Sequence, residues 1–253
     1  MKQLISNILK KIFNNVIVNK KINNSNYFLY YEKSQHLIFA FKKLINYESN
    51  IQEKIKKHID KGDLVFDIGG NIGQYALVLS SLVGENGKVI SVEPDYKNFS
   101  FLQFNVTINQ IKNIELLKTG LDKTSNSLIF FRDTVTGGRK GSFNKDYVNE
   151  SYSGFNETVT TTTIDNLIDV YGVPSFIKID VEGFESNVIN GLTKKLPNTT
   201  FLIEVRKETK QEIFDYFKTR LYVCYHLDPT ESVLINDAHQ IPDFANLLFL
   251  INH

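Results

Sequence analysis

The segment Val65-Phe66-Asp67-Ile68-Gly69-Gly70-Asn71-Ile72-Gly73 sets the tightest limit on how this chain can fold. A short apolar run of strand character enters a turn crowded with glycine and leaves into Tyr75 to Val83, a stretch that reads as a helix. Strand, glycine turn and helix open the repeating unit of an open α/β sheet, where ligands bind beyond the carboxyl ends of the strands. Glycine lets the main chain turn sharply and approach a ligand closely. The spacing is Asp-x-Gly-x-x-x-Gly, not the G-x-G-x-x-G of a dinucleotide site. An acid at the start of the turn would repel a pyrophosphate; it suits a ligand that carries an ammonium group.

The remainder repeats the unit. Val89-Ile90-Ser91-Val92 and Ile114-Glu115-Leu116-Leu117 read as strands, with Tyr96 to Asn109 as a helix between them. Ser127 to Phe131 and Thr158 to Thr163 add strands around a loop that contains Gly137, Gly138 and Gly141. Ile164 to Tyr171 is a helix, Phe176-Ile177-Lys178-Ile179 a strand, Asn187 to Leu192 a helix and Thr200-Phe201-Leu202-Ile203 a strand. Tyr222 to Tyr225 and Leu247 to Ile251 predict a closing antiparallel hairpin around a connection with Pro229 and Pro242. The fold class expected is α/β, a Rossmann-like doubly wound sheet, mostly parallel with an antiparallel C-terminal edge hairpin.

Residues 1–60 hold no glycine and no proline. They predict a small N-terminal extension, mainly helical with a hairpin, capping a domain over residues 61–253. Leu4, Ile5, Ile8, Leu9 and Ile12 have the spacing of an amphipathic helix over residues 1–13. That helix docks on the protein's own core or touches a membrane surface; lysines interrupt it too early for a signal peptide. No run approaches the length of a membrane span. The one cysteine, Cys224, sits among apolar residues and excludes both a disulfide within the chain and a cysteine zinc cluster, so a reducing, cytoplasmic setting is expected.

Two groups of residues carry the chemistry. Glu93, in Ser91-Val92-Glu93-Pro94-Asp95, ends the strand after the glycine turn, where an acid takes both hydroxyls of a ribose. A ligand with an ammonium group for Asp67 and a ribose for Glu93 describes S-adenosylmethionine. The second group is Asp180, Glu182 and Glu185 after the strand 176–179, with Glu204 ending the next strand and expected beside Asp180. Asp180 can orient the donor's ammonium, act as general base or hold a metal ion; no metal is assigned.

These pieces resemble the FkbM family of methyltransferases. The resemblance rests on Phe66 to Gly73, Val92-Glu93-Pro94, the helix with Leu102, Asn105 and Asn109, Thr163 to Ile168, Ile177-Lys178-Ile179-Asp180-Val181-Glu182-Gly183-Phe184-Glu185, Leu202-Ile203-Glu204 and Asn246-Leu247-Leu248-Phe249, in family order over about residues 62–250. It departs in Gly70, where a small alanine is more usual, and in Lys118 to Lys123, a loose match to the turn that meets adenine. The resemblance implies a class I methyltransferase using S-adenosylmethionine, often for O-methylation of sugar or polyketide hydroxyls, with Asp67, Gly69, Gly70, Asn71, Gly73, Glu93 and Asp180 at the donor.

A proton must leave a hydroxyl as it is methylated, and Asp180 is the first candidate to take it, followed by Glu182 and Glu204. His226 and His239 are weaker candidates. Arg132, Arg139 and Lys140 flank the loop between the two inserted strands and can cover the acceptor. The acceptor expected is a small molecule or glycan. The formal net charge of +1 argues against nucleic acid, although an RNA methyltransferase and a scaffold that kept only the fold stay open as alternatives. A nicotinamide enzyme is disfavoured by the glycine spacing.

Overall fold

The structure, a computed structural model, describes residues 12, 15–36, 43–133, 140–148, 152–228 and 230–251. The amphipathic stretch over residues 1–13 lies outside them except for Ile12, as do Arg139, Gly137, Gly138 and Pro229.

The described elements run β1 (Ile17–Lys21), β2 (Phe28–Glu32), α1 (Ser49–Ile55), β3 (Leu64–Ile68), α2 (Gln74–Val83), β4 (Lys88–Val92), α3 (Tyr96–Ile108), β5 (Ile114–Leu117), β6 (Gly120–Leu121), β7 (Ser127–Asp133), α4 (Lys145–Val148), β8 (Tyr152–Thr162), α5 (Ile164–Tyr171), β9 (Phe176–Ile179), α6 (Glu185–Asn190), β10 (Thr200–Arg206), α7 (Lys210–Lys218), β11 (Tyr222–Leu227), β12 (Ser232–Ile235) and β13 (Phe244–Ile251). Eight strands form the central sheet in the order β12-β11-β13-β10-β9-β3-β4-β5. The five from β10 to β5 are parallel. β13, β11 and β12 run antiparallel at one edge. This is the doubly wound plan with its reversed edge, and β12 extends that edge from within the connection after β11. The two inserted strands, β7 and β8, pair antiparallel and form a separate small sheet with β6.

Side chains alternate between the faces of a strand. Phe66, Ile90 and Ile177 therefore enter one buried cluster while Val65, Val89 and Phe176 enter the opposite one, beneath Tyr75, Leu79 and Val83 of α2. The same alternation puts Asp67, Ser91 and Lys178, register partners across β4-β3-β9, side by side on the α2 face. Three polar residues thus occupy one layer at the top of an otherwise apolar sheet. No helix among the described residues is long and apolar enough to cross a membrane.

The N-terminal extension is described only in part, and the hairpin expected within it is present. Its described part is the β1–β2 hairpin followed by the short α1, since Ile17 to Lys21 and Phe28 to Glu32 pair along their full length. Ile22, Leu29, Tyr31 and Ile45 of the extension share a cluster with Ile72, Leu77 and Leu102. Two side-chain amides, one on α3 and one at its C-terminal cap, fix the hairpin. Asn105 accepts from the Tyr30 amide at 2.7 Å and donates to the carbonyls of Tyr30 at 2.9 Å and Ile72 at 2.8 Å. One turn on, Asn109 accepts from the Phe28 amide at 3.0 Å and donates to its carbonyl at 2.8 Å. Positions four apart on a helix lie on one face, so the two side chains serve the exposed edge of β2 much as a strand would.

Asn105→Ala strands three main-chain groups. The expected loss is about 2–4 kcal/mol of unfolding free energy, because each buried polar group left unpaired costs roughly 1–3 kcal/mol and part relaxes. Urea titration checks this, and a loss below about 1 kcal/mol would show that water replaces the amide.

Candidate active site

The central sheet changes direction between β3 and β9, since the chain builds towards β5 on one side and towards β10 on the other. Loops part at such a point and leave a crevice. Two cavities open there, and Gly69, Asn71, Asp180 and Glu182 belong to the walls of both.

The glycine turn builds the shared wall. The Gly69 and Gly70 amides both donate to the Val92 carbonyl, at 3.0 and 2.9 Å. Gly69 has φ +89°, and a Cβ there would stand 1.9 Å from the Asp180 carbonyl oxygen, so no other residue fits this approach of β3 to β9. At Gly70 a Cβ would meet the Ser91 hydroxyl at 2.3 Å, which explains why this chain has glycine opposite Ser91. Asn71 takes the left-handed conformation at φ 49°. Its amide donates to Glu93 Oε2 at 2.8 Å and its own Oδ1 accepts from the Ile72 amide at 2.8 Å. Gly73 ends the turn at φ +102° as α2 begins.

Glu93 projects into the smaller cavity with Asn98, the turn Thr119-Gly120-Leu121, Phe130 and Phe143. Its other oxygen accepts from the Asp95 amide at 2.9 Å. Burial, reinforced by the Asp95 carboxylate, pushes the Glu93 carboxyl up to about 8 against the hydrogen bonds it accepts. Asp95 also caps α3 and binds buried Arg132 Nε at 2.7 Å. Arg132 therefore clamps the start of α3 and lines neither cavity.

The larger cavity, about 260 Å³, holds the acids. Asp180, Glu182 and Glu204 bring one carboxylate oxygen each within 4.8 Å of one another, so Glu204 does stand beside Asp180. Lys178 Nζ lies 3.1 Å from Asp180 and 4.0 Å from Asp67, above the Tyr75 ring at 4.6 Å. Burial would lower the ammonium's pKa, but Asp180, Asp67 and Glu48 outweigh it and raise it. Arg206 Nη2 spans Glu182 and Glu204 at 2.7 Å each, and Tyr147 donates its hydroxyl to Glu182. Burial, with the Asp180 charge second, pushes Glu182 up to about 7 and holds Glu204 well above the usual range. Three close carboxylates can bind a divalent cation; here Lys178 is paired with Asp180, and Arg206 hydrogen-bonds both Glu182 and Glu204.

Asp67 lies under the turn, fully buried, with Oδ2 accepting from Ser91 at 2.9 Å. Its Oδ1 makes no hydrogen bond. The close backbone at Gly69, Asp180 in both walls and Glu93 in the adjoining cavity fit a donor with an ammonium group and a ribose, whereas Asp67 lines neither cavity and its Oδ1 faces the Lys178 ammonium at 4.0 Å. Lys140 reaches the wall of the larger cavity, whereas His226 and His239 reach neither cavity. Cys224 is buried on β11, its thiol pushed up to about 12 by burial.

Sequence reasoning missed Lys178, Arg206, Glu48 and Tyr75. A lysine inside an apolar strand signalled the first, and Arg206 stands two residues from Glu204 on the same face of β10. Nothing in the sequence marked the other two.

An acid with a raised folded value stays neutral where the unfolded chain has already ionised, so its contribution is full below the ordinary value of 4.5 and is lost as pH rises towards about 8 for Glu93. The melting temperature is therefore expected to fall between about pH 5 and pH 8, and more gently in Glu93→Gln. Equal slopes in the two proteins, by scanning calorimetry, would contradict this.

Over 158 residues the chain is 24% identical to the hexuronic acid methyltransferase AglP of Haloferax volcanii, an alignment covering 62% of this chain and 61% of that protein. The chain thus matches about three-fifths of its relative's length. Among solved structures it is similar to the methyltransferase FkbM of Methylobacillus flagellatus, with TM-score 0.49, 18% identity, and 76% of this chain and 44% of that one covered. A putative rRNA methylase of Clostridium thermocellum gives TM-score 0.49 at 16% identity, covering 81% and 95%. The profile described as the methyltransferase FkbM domain matches residues 67–226, which span the glycine turn, Glu93 and the acid cluster, and the chain belongs to this family.

Proposed function

We propose that the protein transfers a methyl group from S-adenosylmethionine to a hydroxyl oxygen of a sugar, a glycan or a related small molecule. The observation that carries the reading is Asp180. It stands where the two cavities meet, between the place for a ribose at Glu93 and the cluster of acids, and Lys178 fixes it. Family membership supports methyl transfer, and the name of the Haloferax volcanii relative, a hexuronic acid methyltransferase, supports a sugar as acceptor.

The donor supplies a methyl group on a positively charged sulfur, which departs as a neutral thioether when the acceptor oxygen takes the carbon. The chain's part is placement and proton removal. Glu93 would receive the ribose hydroxyls, Gly69 to Gly73 would let the main chain lie against the donor, and Asp180 would face its ammonium group, with Asp67 acting from beneath the turn through Lys178. Holding oxygen and methyl in line contributes much of the acceleration. The hydroxyl proton passes to Asp180 in this reading, with Glu182 and Glu204 as alternative acceptors. Glu182, at about 7, has a basicity suited to a neutral-pH general base but is occupied by Tyr147 and Arg206. A cytoplasmic setting is part of the proposal and rests on the single buried thiol.

The test uses donor labelled in its methyl group with a panel of sugar glycosides and, separately, RNA. Label is expected in a glycoside. Asp180→Asn at saturating donor is expected to lower kcat by about 10²–10⁴-fold, the usual share of a general base, while EDTA leaves the rate unchanged. Loss of activity on chelation would give the three acids to a metal ion. Label in RNA alone would move the function to nucleic acid, and absence of both transfer and donor binding would leave a scaffold.

A further inference from the structure

The ends of β10 and β13 that border the larger cavity break the pattern of the strands behind them. Register pairs Leu202 with Leu248, Glu204 with Asn246 and Arg206 with Phe244. Leu202 and Leu248 belong to the buried apolar cluster beneath α2. Side-chain alternation places Glu204, Arg206, Asn246 and Phe244 beyond them on the same face. Three of these four are polar, as suits a rim open to water. Phe244 is the exception: it stands in the cavity wall and is 47% exposed, whereas Ile72 and Tyr75 of the same wall are buried.

We propose that Phe244 is the platform on which the acceptor sugar stacks, taking the C–H face of a pyranose against its ring; this rests on the methyltransferase reading above and names the contact that recognises its acceptor. The ring is braced from behind. The Arg206 guanidinium lies over it at 4.3 Å. The same guanidinium lies over the Tyr147 ring at 5.5 Å, and its Nη2 holds Glu182 and Glu204. One face of the phenyl ring is thus covered by a side chain that two carboxylates fix, which leaves the exposed surface to the cavity. A ring already ordered gives its apolar area to a ligand at little entropic cost.

The chemistry of a pyranose matches this wall. Its ring presents a plane of C–H groups edged by hydroxyls, so it needs an apolar surface on one side and hydrogen-bonding groups around the edge, the usual division of labour in a small-molecule site. Phe244 supplies the surface. Asp180, Glu182, Glu204 and Lys140 stand in the same wall and supply the polar groups. Because Phe244 shares the cavity with Asp180, a sugar on the ring lies in the space that Asp180 serves. The stacking contact recognises the sugar ring and not a charge, so neutral and acidic pyranosides can both use it.

The experiment uses the full chain saturated with S-adenosylhomocysteine, its Phe244→Leu and Phe244→Tyr variants, and two probes, methyl β-glucopyranoside and uridine. Calorimetry reports binding of S-adenosylhomocysteine. Saturation-transfer NMR reports which hydrogens of a probe touch the protein and, by titration, how tightly it binds. In wild type the saturation is expected to favour one face of the glucoside, either the hydrogens on carbons 1, 3 and 5 or those on carbons 2 and 4. Phe244→Leu, which keeps an apolar neighbour for Arg206, is expected to lose that pattern and to bind the glucoside about five- to tenfold more weakly, the worth of roughly 40–55 Å² of apolar contact. Phe244→Tyr, which keeps the ring, is expected to retain both, and donor affinity is expected to be equal in all three proteins. Equal glucoside affinity in wild type and Phe244→Leu, saturation spread over both faces, or no glucoside binding by a wild type that binds S-adenosylhomocysteine would overturn the platform. So would tighter, Phe244-dependent binding of uridine, which would give the ring to a nucleobase, and a loss of donor affinity in Phe244→Leu, which would reduce the ring to a support for Arg206. Failure of wild type to bind S-adenosylhomocysteine would overturn the methyltransferase reading and the platform with it.

Discussion

A lysine ammonium buried to within 5% of full enclosure needs compensation, because removing one ion from water costs several kcal/mol even after the protein relaxes. Lys178 obtains it from Asp67 on the strand beside its own and from Asp180 two residues on. Each carboxylate belongs to a different working part, Asp67 to the base of the glycine turn and Asp180 to the meeting of the two cavities. The ion pairs therefore do more than neutralise charge: they hold β3 and β9 in one register at the point where the sheet opens. Breaking a buried pair by deleting one member typically costs about 3–5 kcal/mol, so these three residues act as a unit, and the Tyr75 ring packs beneath the ammonium.

The site is assembled from segments far apart in sequence, and polar side chains rather than apolar bulk align them. Asn105 joins the hairpin of the extension to the carbonyl of Ile72 within the donor turn. Gln74 ties α2 to the residue before Glu48. Arg206 gathers the ends of β9 and β10 through Glu182 and Glu204 and stacks on Phe244 of β13 at 4.3 Å. Each link is short and directional, so a displacement of one segment is transmitted to the carboxylates. This enclosure is the largest cause of the upward pKa shifts of Glu93, Glu182 and Glu204.

The parallel half of the sheet was legible because its signals are local. Gly69 to Gly73 allow only a tight turn, and the apolar runs that became β3, β4 and β9 are bounded by residues that end strands. Glu93 and Asp180 were legible for the same reason, each standing at a strand's carboxyl end. The position of the extension's hairpin was not, since Ile17 to Lys21 and Phe28 to Glu32 lack a glycine turn, and Asn24 with φ 38° serves instead. Pairing across strands is equally hidden: no local pattern says that Lys178 faces Asp67 or that Arg206 spans two glutamates. Glu48 and Tyr75 come together only through the docking of α1 against α2's first turn, a relation between segments that composition and periodicity do not encode.

A crystal structure of the complex with S-adenosylhomocysteine bears most directly on the account as a whole. The ribose hydroxyls on Glu93, the homocysteine chain along Gly69 to Asn71 and the sulfur directed at Asp180 are the predicted result. A complex with the ribose away from Glu93, or with the sulfur turned from the cavity that holds Asp180, Glu182 and Glu204, would contradict it.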